Sequence, residues 1–136
     1  MPDTFALEIA TPERLVIAER ATEAQIPAKD GYIGVLPGHA PLLSEMGVGT
    51  LAYMVDGRAR NIVVSGGFLE VLPDFVRVLA DAAERPPEID RARAEAALKR
   101  AQERLDAPAS AGIDIARALN SLKRAQARVA ASRQNR

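Results

Sequence analysis

Cysteine and tryptophan are both absent from the 136 residues, and histidine occurs once, at position 39. Without cysteine there is no disulfide framework, no thiolate metal centre and no thiol nucleophile, a composition suited to a reducing compartment. His39 stands in a Pro-Gly-His-Ala-Pro loop with no second His, no Cys and no carboxylate cluster nearby in sequence, so nothing there makes a metal site or a catalytic dyad. Long apolar runs are missing as well: none approaches the roughly 20 residues that cross a bilayer. The opening MPDTFALEIATPER carries acids where a secretory leader needs bases. A soluble chain is expected, one that meets a membrane only through partners. There is no Gly-x-x-x-x-Gly-Lys phosphate loop, and Ser65-Gly66-Gly67 lacks the Gly-x-Ser-x-Gly frame of a nucleophile elbow.

What is present is unevenly spread. The net charge is zero, yet residues 1–85 hold 12 acids against 7 bases and residues 86–136 hold 6 against 11, giving −5 and +5. All five aromatics and eight of the nine glycines fall in the first part. Two structural units with different surroundings are expected, the second suited to an acidic partner.

Residues 1–85 read as a β-domain. Phe5, Leu7 and Ile9 alternate with Ala6, Glu8 and Ala10, the period of a half-buried strand. Further strands are expected at Ala24–Pro27, Tyr32–Val35, Thr50–Val55, Arg60–Ser65, Phe68–Leu72 and Phe75–Leu79. Asp56-Gly57 is a hairpin signal, because both residues tolerate the positive φ of a tight type I′ turn. Short strands punctuated by Gly and Pro imply a sandwich or a flattened barrel.

Pro86-Pro87 ends that unit, and residues 86–136 read as a helical hairpin. Asp90 is the expected N-cap of a first helix over Ala92–Leu105, though Arg93 stands where a capping box has Glu. Ala94, Ala97, Leu98, Ala101 and Leu105 line its apolar side, and Glu95 with Lys99 offers an i,i+4 ion pair. Asp106–Gly112, with Pro108, Ser110 and Gly112, breaks the chain before a second helix over Asp114–Ala131. Ile115, Ala118, Leu119, Leu122, Ala125 and Val129 form its apolar side. A seam built largely of alanine buries little area, so at roughly 25 cal/mol per Å² the hairpin closes by a modest margin. A partner or ligand can open it.

Four segments carry a resemblance. They are Gly31-Tyr32-Ile33-Gly34-Val35-Leu36-Pro37-Gly38-His39-Ala40-Pro41-Leu42, Ser65-Gly66-Gly67-Phe68-Leu69-Glu70-Val71, Leu79-Ala80-Asp81-Ala82-Ala83-Glu84 and Ile89-Asp90-Arg91-Ala92-Arg93-Ala94. Together they resemble the epsilon subunits of bacterial F-type ATP synthases. The resemblance implies an α+β chain: a sandwich of about ten short strands over 1–85, then an antiparallel two-helix arm over 86–136. It also implies a non-catalytic rotor subunit of the central stalk, coupling proton transport to ATP synthesis, bound to the gamma subunit and the c-ring. The arm would extend toward the beta and alpha subunits and inhibit ATP hydrolysis. The implied location is the cytoplasmic face of a bacterial plasma membrane, with no nucleic acid, no metal and no required cofactor.

The resemblance singles out residues. Some bacterial members bind ATP on the folded arm, and Glu84, Ile89, Asp90, Arg93, Ala94, Arg124 and Arg128 match their motif, with ATP as a regulatory ligand. Guanidinium groups suit phosphate oxygens, and a carboxylate can accept from an adenine amine. Arg117 and Lys123, beside Arg124 and Arg128, are placed against an acidic loop of the beta subunit. Tyr32, where many members have Glu, and His39 are expected near the c-ring or gamma. Two other functions compete: a free-standing ATP sensor, and a small hydrolase using Ser65 and His39.

Overall fold

The structure, a computed structural model, describes residues 3–108 and 111–134. Eight strands are described: β1 (Phe5–Ala10), β2 (Leu15–Ala21), β3 (Glu23–Ala28), β4 (Gly31–Val35), β5 (Leu42–Glu45), β6 (Val48–Val55), β7 (Arg58–Leu72) and β8 (Phe75–Glu84). A 3-10 turn, Pro86–Glu88, leads into α1 (Arg91–Asp106) and α2 (Ile115–Gln134). Ser110, expected in the break between the helices, lies outside the described residues.

Local chemistry sets these elements. In β1, Phe5, Leu7 and Ile9 are fully buried while the residues between them are half-buried, so the alternation read from sequence is the burial pattern found. Asp56 and Gly57 have φ of 51° and 77°, the positive pair a type I′ turn requires, and they bring Val55 opposite Arg58.

The hydrogen-bonded order is β2-β1-β8-β7-β6-β3-β4, with β5 also on β7. β7 runs for 15 residues and changes partner along its length. Arg58–Ser65 pairs with β6, and Phe68–Val71 pairs with β5. The change falls at Gly66 and Gly67, with φ of 64° and 103°. There β7, still paired with β8, passes from one layer of the sandwich to the other. A Cβ on Gly67 would run into the Leu79 carbonyl oxygen, so only glycine allows this crossing. The eight continuous strands thus supply ten strand segments, five to a layer, because β7 and β8 each serve both.

The core between the layers includes Phe5, Leu7, Ile9, Ile26, Leu51, Ile62 and Leu69, all at 0% exposure, and draws no residue from either helix. Each such side chain contributes about 1.5–3 kcal/mol through burial. A second, smaller cluster joins Val63 of β7 to Ile89, Ala94, Val129 and Ala131. The arm is therefore packed against the sandwich but does not share its core.

Asp90 caps α1 by accepting from the Arg93 backbone N–H at 3.1 Å, and Asp114 does the same for Arg117 of α2, also at 3.1 Å. The start of α1 (Ala94) meets the end of α2 (Val129, Ala131), so the helices are antiparallel. Their seam is alanine: Ala94, Ala101, Ala118, Ala125 and Ala131 are all at 3% exposure or less. Leu98, Leu105 and Leu122 are half-buried.

Three expectations are corrected. Leu119 is 43% exposed, being about 100° of helix on from Ala118, and Ile115 is 57% exposed because α1 has already ended where α2 begins. Ala131 takes a seam position that they do not. Glu95 accepts from Arg91 at 3.1 Å, one turn before it, rather than from Lys99.

Candidate functional site: the docked arm and the outer sheet

Glu84, the last residue of β8, is in register with Val63 on β7, so its side chain leaves the sheet on the face that α2 covers. Arg128 of α2 meets it there. Its Nε lies 2.8 Å from Glu84 Oε1, off the N–H axis, while Nη2 donates to Oε2 at 3.4 Å. The two side chains are only 19% and 32% exposed. Two of the seven expected nucleotide residues thus hold each other.

The Ile89–Ala94 string also has structural work. Ile89 and Ala94 are buried in the small cluster, and the Asp90 carboxylate is the cap of α1. Arg93 has an exposed side chain. A different set of arginines converges: Arg100 and Arg104 of α1, with Arg124 and Arg128 of α2, line a cleft of about 180 Å³ floored by alanine. Arg100 and Arg104 were not among the sequence candidates. Their signal was the i,i+4 spacing shared with Arg124 and Arg128, which puts each pair on one helix face. Like charges at that spacing repel by a few tenths of a kcal/mol. Among the described residues only Arg128 of the four has an ion-pair partner. A bound polyanion would relieve the repulsion and bridge the helices.

Arg117, seven residues before Arg124, continues the same line on α2, and its side chain is exposed. Lys123 is exposed too, but six residues, about 240° of helix, separate it from Arg117. Tyr32 is 58% exposed on β4, its hydroxyl accepting from the Thr50 N–H at 3.2 Å. His39, partly buried, has Nδ1 2.7 Å from the Ala40 carbonyl oxygen, in a loop shared with Leu36, which is 60% exposed. Ser65 lies within β7, 8% exposed, which withdraws it as a nucleophile.

Sequence reading missed the apolar outer face of the other layer. Strand register aligns Phe68, Leu79, Ala10 and Leu15 across β7, β8, β1 and β2. Phe68, Leu79 and Leu15 are 57%, 51% and 56% exposed, and Leu43 on neighbouring β5 is 73% exposed. The adjoining row is charged, with Arg77 donating to Glu8 at 3.5 Å. An exposed apolar stripe rimmed by charge marks an interaction surface. Its signal was Phe68 beside Leu69, and Val78-Leu79-Ala80, where alternation lapses because both faces are apolar.

Residues 4–86 match the family described as ATP synthase, Delta/Epsilon chain, beta-sandwich domain, and residues 88–133 match its long alpha-helix domain. The chain belongs to the ATP synthase epsilon family. It is similar to the ATP synthase epsilon chain of Solibacter usitatus (strain Ellin6076), 63% identical over 109 residues, 80% of this chain and 81% of that one. The epsilon chain of Koribacter versatilis (strain Ellin345) is 53% identical over 105 residues, 77% and 74% of the two chains. Among solved structures, a chain of the Euglena gracilis mitochondrial ATP synthase (OSCP/F1/c-ring) superposes with a TM-score of 0.81 at 25% identity, over 96% of this chain and 82% of that one. The epsilon-family chain is accordingly a subunit of the synthase central stalk, of the bacterial F-type. No described helix is long and apolar enough to cross a membrane.

Proposed function

We propose that this epsilon-family chain is a non-catalytic rotor subunit whose sandwich is fixed to the stalk and whose arm undocks to restrain ATP hydrolysis. The observation that carries this is the separation of the two apolar clusters: the sandwich core is complete without the arm, which is held by a small cluster and the Glu84–Arg128 pair. Undocking the arm leaves the sandwich intact.

The division of labour follows residues 1–85 and 86–136. The stripe Phe68, Leu79, Leu15 is the surface for the gamma subunit, and the β4–β5 side, with Tyr32, His39 and Leu36, is turned to the c-ring. When the arm extends, Arg117, Lys123 and Arg124 meet acidic surface on the beta and alpha subunits. Charge complementarity there sets register and rate of engagement. The complex couples proton transport to ATP synthesis at the cytoplasmic face of the plasma membrane. A free-standing sensor would leave the apolar stripe facing water, which favours the stalk assignment over that alternative.

ATP acts on the closed state. Its phosphates fit the groove of Arg100, Arg104, Arg124 and Arg128, and a ligand bridging both helices favours docking by its differential affinity for that form. No cofactor or metal is required. The test is calorimetric titration of ATP into the full chain and into its Arg124→Ala and Arg93→Ala variants. Binding by the parent that weakens at least about tenfold in Arg124→Ala, a loss of about 1.4 kcal/mol, supports the site. Negligible heat in the parent removes ATP sensing from the proposal and leaves the stalk role standing.

A further inference from the structure

A second cleft, of about 510 Å³, lies away from the interhelical groove, where β2, the β6–β7 hairpin and the Arg85–Pro87 linker meet. That volume is in the range of small-molecule sites. Its cationic lining is Arg58 and Arg60, two apart on β7 and so on one face, together with Arg85 of the linker. Its apolar lining is buried Ile17 with Pro86 and Pro87. Glu19 is the single acid lining it.

The charges in the cleft are poorly matched internally. Arg60 reaches Glu19 only at 3.9 Å, too far for a hydrogen bond, and Glu19 Oε2 is buried without a hydrogen-bond partner. Arg85 donates to the Val16 carbonyl at 2.9 Å, leaving its charge answered by Glu88 at 4.0 Å. Arg58 has no ion pair among the described residues. Three guanidinium groups line the cleft against one lining carboxylate, and with Arg85 also paired to Glu88 just outside the lining the balance stays positive. Tyr53, at the cleft and only 4% exposed, adds no negative charge. Burial, and then the Glu19 charge, push its phenol up to about 12 against the pull of Arg60 and Arg85, so it stays an O–H donor.

We propose that this cleft binds a phosphate group, free or as the charged end of a small organic ester, held between Arg58 and Arg60 of the sandwich and Arg85 of the linker. A phosphate offers three or four oxygens to guanidinium groups arriving from separate elements, against two on a carboxylate, and carries the greater charge. The apolar lining of Ile17 and the two prolines suits the organic part of an ester. An anion bound to both sides fastens the linker to the sheet at the point where the chain leaves it for the arm. The site stands independently of ATP binding between the helices; only its effect on undocking rests on the proposed function.

The test is titration of the full chain with inorganic pyrophosphate at about 0.15 M ionic strength, where exposed charges are screened within about 8 Å. Binding is expected in the parent and in Arg124→Ala, which disables the interhelical groove, and in that background at least about tenfold weaker once Arg58→Ala is added, a change of about 1.4 kcal/mol. Arg58 is an exposed residue beside the turn, and circular dichroism checks that its variant remains folded. Saturating pyrophosphate should also slow hydrogen exchange at the Glu88 and Ile89 amides, which are bonded to the Arg85 and Pro86 carbonyls. Phenyl phosphate titrated beside inorganic phosphate separates the two sources: tighter binding of the ester assigns the apolar lining to the ligand, equal binding assigns the site to the free anion. No binding by the parent overturns the proposal. So does binding that Arg124→Ala abolishes, or that Arg58→Ala added to it leaves unchanged.

Discussion

Arg128 on α2 sits with its Nε 2.8 Å from Glu84 Oε1 at the end of β8, and this half-buried ion pair ties the arm to the sandwich. Breaking it should cost about 1 kcal/mol of docking free energy, the upper end for a pair open to water on one side. Glu84→Gln and Arg128→Ala should each raise hydrogen exchange along α2 about fivefold, and the double variant should be no more open than the worse single one. Additive effects would mean that the two residues act separately.

Gly67 is predicted to be irreplaceable. At φ 103°, with the Leu79 carbonyl where a Cβ would sit, Gly67→Ala combines backbone strain with a collision against backbone. A loss of more than about 2–3 kcal/mol is expected in urea denaturation, since strain and overpacking add. Near-parental stability would show that β7 can cross between layers some other way.

The apolar stripe should matter for association and hardly at all for folding. Leu79→Asp places a charge at a side chain that is 51% exposed, so thermal stability should change by no more than about 0.5 kcal/mol. Co-purification with the gamma subunit should nevertheless be lost. A variant that still assembles would move the stalk contact to another face.

Alkaline stability should report on Tyr53. Its folded pKa, about 12, lies above the ordinary phenol value of 10.0, so the folded chain holds that proton more tightly than the unfolded chain does. The stabilisation this gives is complete below the unfolded pKa and is lost as pH rises through the folded one. Unfolding free energy should therefore fall between about pH 10 and pH 12, and Tyr53→Phe should flatten that decline. Parallel declines in both proteins would assign the effect to other groups.

Much of the fold was legible because its physics is local. β1 follows a period of two, Asp-Gly fixes the β6–β7 turn, and Asp90 caps α1 at the residue expected. β2 and β5 were missed for identifiable reasons. Leu15-Val16-Ile17-Ala18 does not alternate, because Leu15 belongs to the outer stripe while Val16 and Ile17 are both buried. β5 is four residues long, too short to show a period. Gly66-Gly67 looked like a break between two strands, yet β7 passes through it, since a long-range pairing with β8 holds both sides.

The site was legible only in part. Glu84 and Arg128 were named and do meet, but as partners of each other. Ile89 and Ala94 are apolar and buried in the small cluster that docks the arm. Arg100 and Arg104 look like ordinary surface residues until α2 brings two more arginines opposite them. Convergence of that kind is a tertiary property. No single helix displays it.

Hydrolysis by the assembled synthase, measured with the full chain and with residues 87–136 deleted, tests most directly whether the arm is a restraint that can be released. The sandwich core is complete without those residues, so the truncated subunit should still assemble. A several-fold rise in ATP hydrolysis on deletion is the predicted result; an unchanged rate in a fully assembled complex would contradict it.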